Sequence, residues 1–182
     1  SAVKRGKTVK HNSLAKVLEA GKGEFLTVVF PGERLDRIVD ALRGVERTGV
    51  PSLVAASIIH DVASAMAALH DAGLAFGPFD ASQVLVGYSG KSKVFGMPAS
   101  ALAAHRAGKA PSAFVDTKSL GELLIGLVEE DDAEKTGVLK VAQRAKDGEF
   151  TDADELVEAL DAWLGDRKSS SHDEVRGWLR RR

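Results

Sequence analysis

The sequence predicts a mainly α-helical protein with small β-hairpins, an α+β fold. Apolar residues recur at helical spacing in several segments, most clearly over residues 51–69. Two pairs of short β-rich runs flank glycine-containing turns at 21–23 and 87–90. The composition, 44% hydrophobic and 28% charged residues in a chain of 182, is typical of a protein that buries a core.

The first part of the chain is predicted to contain a strand pair and a short helix. Residues 14–18 and 25–30 form two β-rich runs around the glycine turn. Residues 31–33, Pro-Gly-Glu, read as a turn. Apolar residues at helical spacing then predict a helix over 34–42.

The middle of the chain is predicted to be a long helix followed by a second hairpin. Pro51 opens the helix, because proline is favoured in a first turn, and Gly73 is a natural stop. Polar residues interrupt the helix at Ser57, His60 and Asp61, so it is predicted to be a buried helix and no membrane span. Strands at 84–86 and 93–95 follow.

The last third of the chain is predicted to be helical. Residues 97–112 read as a loop, and helices are expected over 114–128 and 138–144. An N-cap at Thr151–Asp154 begins a further helix that ends at Leu164. The acidic run 129–134 is interpreted as a solvated turn, which is favoured over a calcium loop.

The composition also limits the kinds of site. The chain has no cysteine, which excludes disulfides and thiolate metal sites and fits a reducing cytoplasm. Its five histidines show no metal-ligand spacing, so neither a metal site nor a cofactor is predicted. The beginning of the sequence shows no apolar signal-peptide segment. With 25 basic and 26 acidic residues, the net charge gives no general attraction to nucleic acid or membrane.

Several segments stand in an order typical of one protein family. They are KHNSLAKVLEAG with EFLTVVFPGERLDRIV, SIIHDVASAMAALHDAGL, FGPFDASQVLV, FVDTKSLGELLIGLV and VAQRAKDGEFTDADELVEALDAWL. This series resembles the C-terminal lobe of Hanks-type (eukaryotic-like) protein kinases, from the hinge through the long helix, catalytic loop and central helix to the closing helices. The resemblance covers roughly residues 10–165. It implies a kinase-like C-lobe with most of the N-lobe missing, since no G-x-G-x-x-G loop precedes Leu14.

The resemblance implies a degenerate catalytic loop. The loop His is matched by Phe76, and the Asp that accepts the substrate proton is matched by Pro78. The Lys that contacts the transferred phosphate is matched by Asp80, an inverted charge, and the metal-binding Asn by Gln83. The resemblance therefore implies that proton transfer and phosphate contact are both lost.

Two further positions concern the metal and the central helix. The magnesium-binding Asp is matched by Gly96, or by Val94 if the intervening loop is two residues shorter. Asp116 matches a retained family Asp that hydrogen-bonds the catalytic-loop backbone. An equally supported alternative for Asp116 is a simple helix N-cap or first-turn acid.

Residues 166–182 are predicted to lie outside the kinase-like domain of residues 1–165. Ser169–Ser171 read as a linker, and residues 172–182 are predicted to form a short basic helix. Val175, Trp178 and Leu179 share one side of that helix. They are candidates for contact with a partner, although packing on their own domain is favoured.

The functional prediction is an inactive pseudokinase of bacterial style. It would act in the cytoplasm as a protein-interaction or regulatory scaffold in signalling, binding a protein partner or a second copy of itself, without ATP or magnesium. One alternative is a nucleotide sensor or unorthodox phosphotransferase that uses Asp80, Gln83 or Asp116. A weaker alternative is nucleic-acid or acidic-lipid binding through the basic termini.

Overall fold

The computed structural model describes residues 8–15, 17–20, 25–27, 31–46, 49–77, 79–96, 108 and 112–182. In these residues the α-helices are α1 (Leu35–Arg43), α2 (Ser52–Asp71), α3 (Ala113–Leu127), α4 (Lys135–Asp147), α5 (Ala153–Leu164) and α6 (Ser171–Arg181). The strands are β1 (Val17–Ala20), β2 (Phe25–Thr27), β3 (Gly32–Arg34), β4 (Val84–Gly87) and β5 (Ser92–Val94). The predicted mainly helical α+β class is confirmed, and α1 to α6 each lie within a few residues of a predicted helix.

The strands form two antiparallel units. β1 pairs with β2 through Val17 opposite Thr27 and Ala20 opposite Phe25, which confirms the first predicted strand pair. Its glycine turn lies outside the described residues. β3, β4 and β5 form a three-stranded antiparallel sheet in that order. Leu14, predicted to begin the first strand, instead pairs with Val94 at the edge of β5.

The turn predicted at residues 31–33 is wrong, because Gly32 and Glu33 belong to strand β3. Gly32 lies opposite Gly87 of β4. A Cβ atom on Gly32 would lie 2.4 Å from the carbonyl oxygen of Val86, so a glycine is needed where the two backbones meet. The strand reads Gly-Glu-Arg, which has no apolar alternation from which it could be predicted.

Helix α2 is the centre of the hydrophobic core. Its Ile58, Ile59, Val62 and Met66 are fully buried, and α3, α5 and α6 pack against it. α2 is the one helix in the described part of the chain that is long and apolar enough to cross a membrane. Other parts of the protein bury 78% of its most apolar window, which is typical of a core helix.

An acid from the predicted solvated turn holds the beginning of α2. The Asp132 carboxylate accepts hydrogen bonds from the backbone N–H groups of Ser52, at 2.5 Å, and Glu134, at 2.8 Å. Burial by itself raises the pKa of Asp132. The two hydrogen bonds together lower the pKa by a larger amount, so it lies below its ordinary value. Asp132 therefore acts as a capping group for a helix that starts 80 residues earlier.

Replacing Asp132 with alanine should lower the free energy of unfolding by about 1 kcal/mol at pH 6, measured by urea denaturation. Since folding lowers the pKa of Asp132, its contribution should be complete above about pH 4 and should shrink as the pH falls further. Asp131→Ala, an exposed neighbour, is the control and should change stability by less than about 0.5 kcal/mol. Equal losses for the two variants would contradict the capping role.

The C-terminal segment belongs to the same core. The linker predicted at Ser169–Ser171 is wrong: a 3₁₀ helix over Gly165–Ser170 runs directly into α6, whose first residue, Ser171, is buried. Val175 is fully buried and Trp178 is 4% exposed, both in the core that contains α2. No change in packing therefore marks the predicted boundary after residue 165.

Candidate functional site

The segment matched to a catalytic loop connects α2 to β4. Gly73 and Gly77 adopt positive φ angles of 66° and 92°, conformations in which glycine is favoured. The side chain of Phe76 is fully buried and meets the ring of Phe79 edge-on, with 5.6 Å between the ring centroids. Phe76 therefore contributes to the core. Pro78 lies outside the described residues.

Asp116 of α3 holds the backbone of this segment. Its carboxylate is fully buried. The Oδ2 atom accepts a hydrogen bond from the backbone N–H of Phe76 at 2.5 Å, and Oδ1 accepts one from Gly77 at 2.9 Å. The Nε2 atom of His70 lies 3.1 Å from Oδ2. These contacts join the central helix to the segment, as the resemblance implies for Asp116.

The alternative for Asp116, an N-cap or first-turn acid of α3, is confirmed only in its position: Asp116 lies in the first turn and is not the N-cap. Ser112 is the N-cap, and its hydroxyl oxygen accepts a hydrogen bond from the backbone N–H of Val115 at 3.2 Å. Although Asp116 lies in the first turn of α3, its carboxylate bonds to groups outside the helix. Its burial is therefore compensated by those donors.

His70 extends this contact to a third helix. Its Nδ1 atom accepts a hydrogen bond from the backbone N–H of Ala153, the first residue of α5, at 3.3 Å. A ring nitrogen that accepts carries no proton, so Nε2 carries the proton and donates to Asp116. The sequence gives no signal for these two contacts of His70, because both partners lie far away along the chain.

Two polar residues of the segment matched to the catalytic loop, Asp80 and Gln83, form hydrogen bonds within that segment. The Asp80 carboxylate accepts a hydrogen bond from the backbone N–H of Ser82 at 2.7 Å. The Gln83 side-chain oxygen accepts one from the backbone N–H of Asp80 at 3.1 Å. This is a capping box for the short 3₁₀ turn Ala81–Gln83. Both side chains therefore stabilise the local turn.

The position matched to the magnesium-binding acid offers no ligand. Gly96 has a φ of 88°, and a Cβ atom there would lie 3.4 Å from the side-chain nitrogen of Gln83. The alternative, Val94, is buried in β5. Among the residues that the structure describes, no three His, Asp or Glu side chains form a group that could hold a metal ion. Mg²⁺ requires oxygen ligands, so this place does not fit it.

A second buried carboxylate was missed by the sequence. Asp61 of α2 accepts a hydrogen bond from the backbone N–H of Ser92 at 2.7 Å, and the Nε2 atom of His172 lies 3.1 Å from its other oxygen. Gly90 has a φ of 89° and packs directly on the His172 backbone. These contacts fix the β4–β5 turn against the start of α6. A sequence pattern gives no signal for contacts that span 31 and 111 residues.

The three candidate partner contacts on α6 differ in how deeply they are buried. Val175 and Trp178 are buried by their own domain, so they are excluded as partner contacts in this fold and agree with the favoured alternative. Leu179 is only partly buried and packs at the margin of the core.

Comparison with protein-family models and with curated proteins gave no match. The candidate site is therefore defined by its own geometry: a buried acid on α3 that fixes the backbone at residues 76–77, beside a loop whose polar side chains cap a turn.

Proposed function

We propose that this chain is a catalytically inactive interaction module whose fold resembles the C-terminal lobe of Hanks-type protein kinases. The observation that carries the proposal is the contact of Asp116 with the backbone N–H groups of Phe76 and Gly77. The anchor that positions a catalytic loop is retained, while the side chains at the matched positions of that loop perform other roles.

The chemistry of phosphoryl transfer supports an inactive module. The reaction needs a group that orients the nucleophile and metal ions that neutralise the phosphate oxygens. Phe76 is apolar and buried, and Asp80 accepts a backbone hydrogen bond within its own turn. The sequence has proline at position 78, and proline cannot accept the substrate proton. Phe76 and Asp80 thus contribute to the fold.

The proposal includes the setting of the module. A chain without cysteine fits a reducing compartment, and we place the module in the cytoplasm. Its partner would be a protein or a second copy of the chain, bound through surface residues, because Val175 and Trp178, two of the three α6 side chains first considered for that role, are buried.

A thermal melt with and without millimolar ATP and MgCl₂ tests the proposal, and the midpoint should not move. A ligand at a hundred times its dissociation constant stabilises by ~2.7 kcal/mol. Each kcal/mol raises the midpoint of a domain of this size by roughly 2–4 °C. Nucleotide binding with a dissociation constant far below the ATP concentration would therefore raise the melting midpoint by a measurable amount. MgCl₂ alone and ATP with a chelator are the controls for ionic effects.

A rise in the melting midpoint that requires both ATP and magnesium would overturn the proposal in favour of a nucleotide sensor. Such a rise should then disappear in Gln83→Ala if the matched loop were the binding site. A rise that persists in that variant would place the nucleotide elsewhere on the protein, and it would equally contradict a module without nucleotide binding.

A further inference from the structure

A groove of about 470 Å³ lies between α1 and the end of α6. Apolar side chains from both helices, Ala41, Leu42 and Leu179, line much of it. Val45, just beyond α1, lines it too and is 67% exposed, the highest value among the large apolar residues in the described ranges. The volume is in the range of ligand pockets, about 300–1,000 Å³. The groove thus offers apolar surface that a partner side chain could cover.

The charged residues of the groove leave one cation without a counterion. Glu33 and Arg182 form an ion pair with each other. Arg181 also lines the groove, and it makes no ion pair with any residue in the described part of the chain. The side chains that line the groove therefore carry one net positive charge, that of the Arg181 guanidinium, and this charge favours a carboxylate as its partner.

The end of α1 near the groove makes an anionic ligand depend on Arg181. α1 ends close to the groove, and the last carbonyls of a helix carry partial negative charge. This dipole would repel an acidic ligand weakly, so the attraction must come from Arg181. An anionic ligand at this place would consequently depend on one side chain that can be replaced.

We infer that this groove binds an acidic peptide segment of a partner protein. One large apolar side chain of the peptide enters the groove beside Val45, and a neighbouring Asp or Glu pairs with Arg181. The inference rests on the proposed function, for which it names the partner class and the binding surface.

Selection from a displayed library of random dodecapeptides on the immobilised protein tests this inference. The enriched peptides should carry an Asp or Glu within two positions of a Leu, Ile, Phe or Met. A fluorescent copy of the best peptide is then titrated with wild-type protein and with Arg181→Glu. The charge reversal should weaken binding by about tenfold or more, since it replaces attraction with repulsion at close range.

Arg180→Glu is the matched control. Arg180 is exposed on the same turn of α6, does not line the groove, and its replacement changes the net charge equally. It should change the affinity by less than about twofold. Equal losses for the two variants, enriched peptides without an acid, or no enrichment at all would each overturn the inference.

Poly(U) RNA and phosphatidylserine vesicles serve as competitors in the same assay. If either displaces the peptide and itself loses binding equally with both charge reversals, the basic helix end attracts polyanions in general and the groove assignment fails. The nucleotide melt separates this failure from failure of the proposed function. A midpoint without an ATP shift, together with a negative peptide selection, removes only the groove assignment.

Discussion

Replacing Asp116 with alanine is expected to lower the free energy of unfolding by about 3–5 kcal/mol. The change removes the acceptor of two buried backbone N–H groups, those of Phe76 and Gly77, and of the His70 ring. A buried donor left without a partner costs about 1–3 kcal/mol. Relief from burying the carboxylate offsets part of this sum. Urea denaturation followed by tryptophan fluorescence measures the loss.

Two further variants define the role of Asp116. Asp116→Asn retains one acceptor oxygen but turns an amide NH₂ group toward donors. Its free energy of unfolding should therefore lie between that of wild type and that of Asp116→Ala. Glu122→Ala replaces an exposed acid on the same helix and should change stability by less than about 0.5 kcal/mol. A loss below about 1 kcal/mol for Asp116→Ala would contradict the three-donor arrangement.

Hydrogen exchange separates an anchor of the loop from a general contributor to stability. In Asp116→Asn under native conditions, the amides of Phe76 and Gly77 should lose more protection than those of α4, because the loop amides keep one acceptor oxygen in place of two. A uniform decrease across the protein would instead reflect global destabilisation.

The sequence was most informative about elements whose signal is local. The 3.6-residue apolar pattern predicted α1 to α4, an N-cap predicted α5, and Gly73 predicted the end of α2, because each signal depends on neighbouring residues. The same approach predicted the helix that becomes α6 but failed for the segment before it. Ser169–Ser171 favour a linker by composition, yet they lie in a 3₁₀ helix and the first turn of α6, and Val175 and Trp178 are buried against α2.

The candidate site was only partly predictable, for a related reason. Asp116 emerged from the resemblance, together with the backbone contact that it implies. Asp61, His70 and Asp132 did not, since each derives its role from partners that only tertiary structure brings near. Single polar residues in a periodic apolar segment read as interruptions of the pattern. In this fold Asp61 and His70 join α2 to the loops and helices around it.

Gly121→Ala should lower the free energy of unfolding by about 2–3 kcal/mol, because α3 and α4 approach closely at this residue. A Cβ atom on Gly121 would lie 2.5 Å from the backbone nitrogen of Lys146 and 2.6 Å from the carbonyl oxygen of Ala142. These are backbone atoms of another helix, so they cannot move aside as a side chain could. Forced separation of the helices should outweigh the gain of about 1 kcal/mol in helix propensity.

Gly126→Ala is the matched control, and it should have the opposite sign. Gly126 is exposed on the same helix, and a Cβ atom there would meet nothing within 4 Å. Alanine should therefore raise stability by up to about 1 kcal/mol. Thermal and urea unfolding of the two variants measure both effects. A stabilised Gly121→Ala protein would show that α3 and α4 do not meet at this distance, and the position of Asp116 over the loop would then be in question, since the same helix carries it.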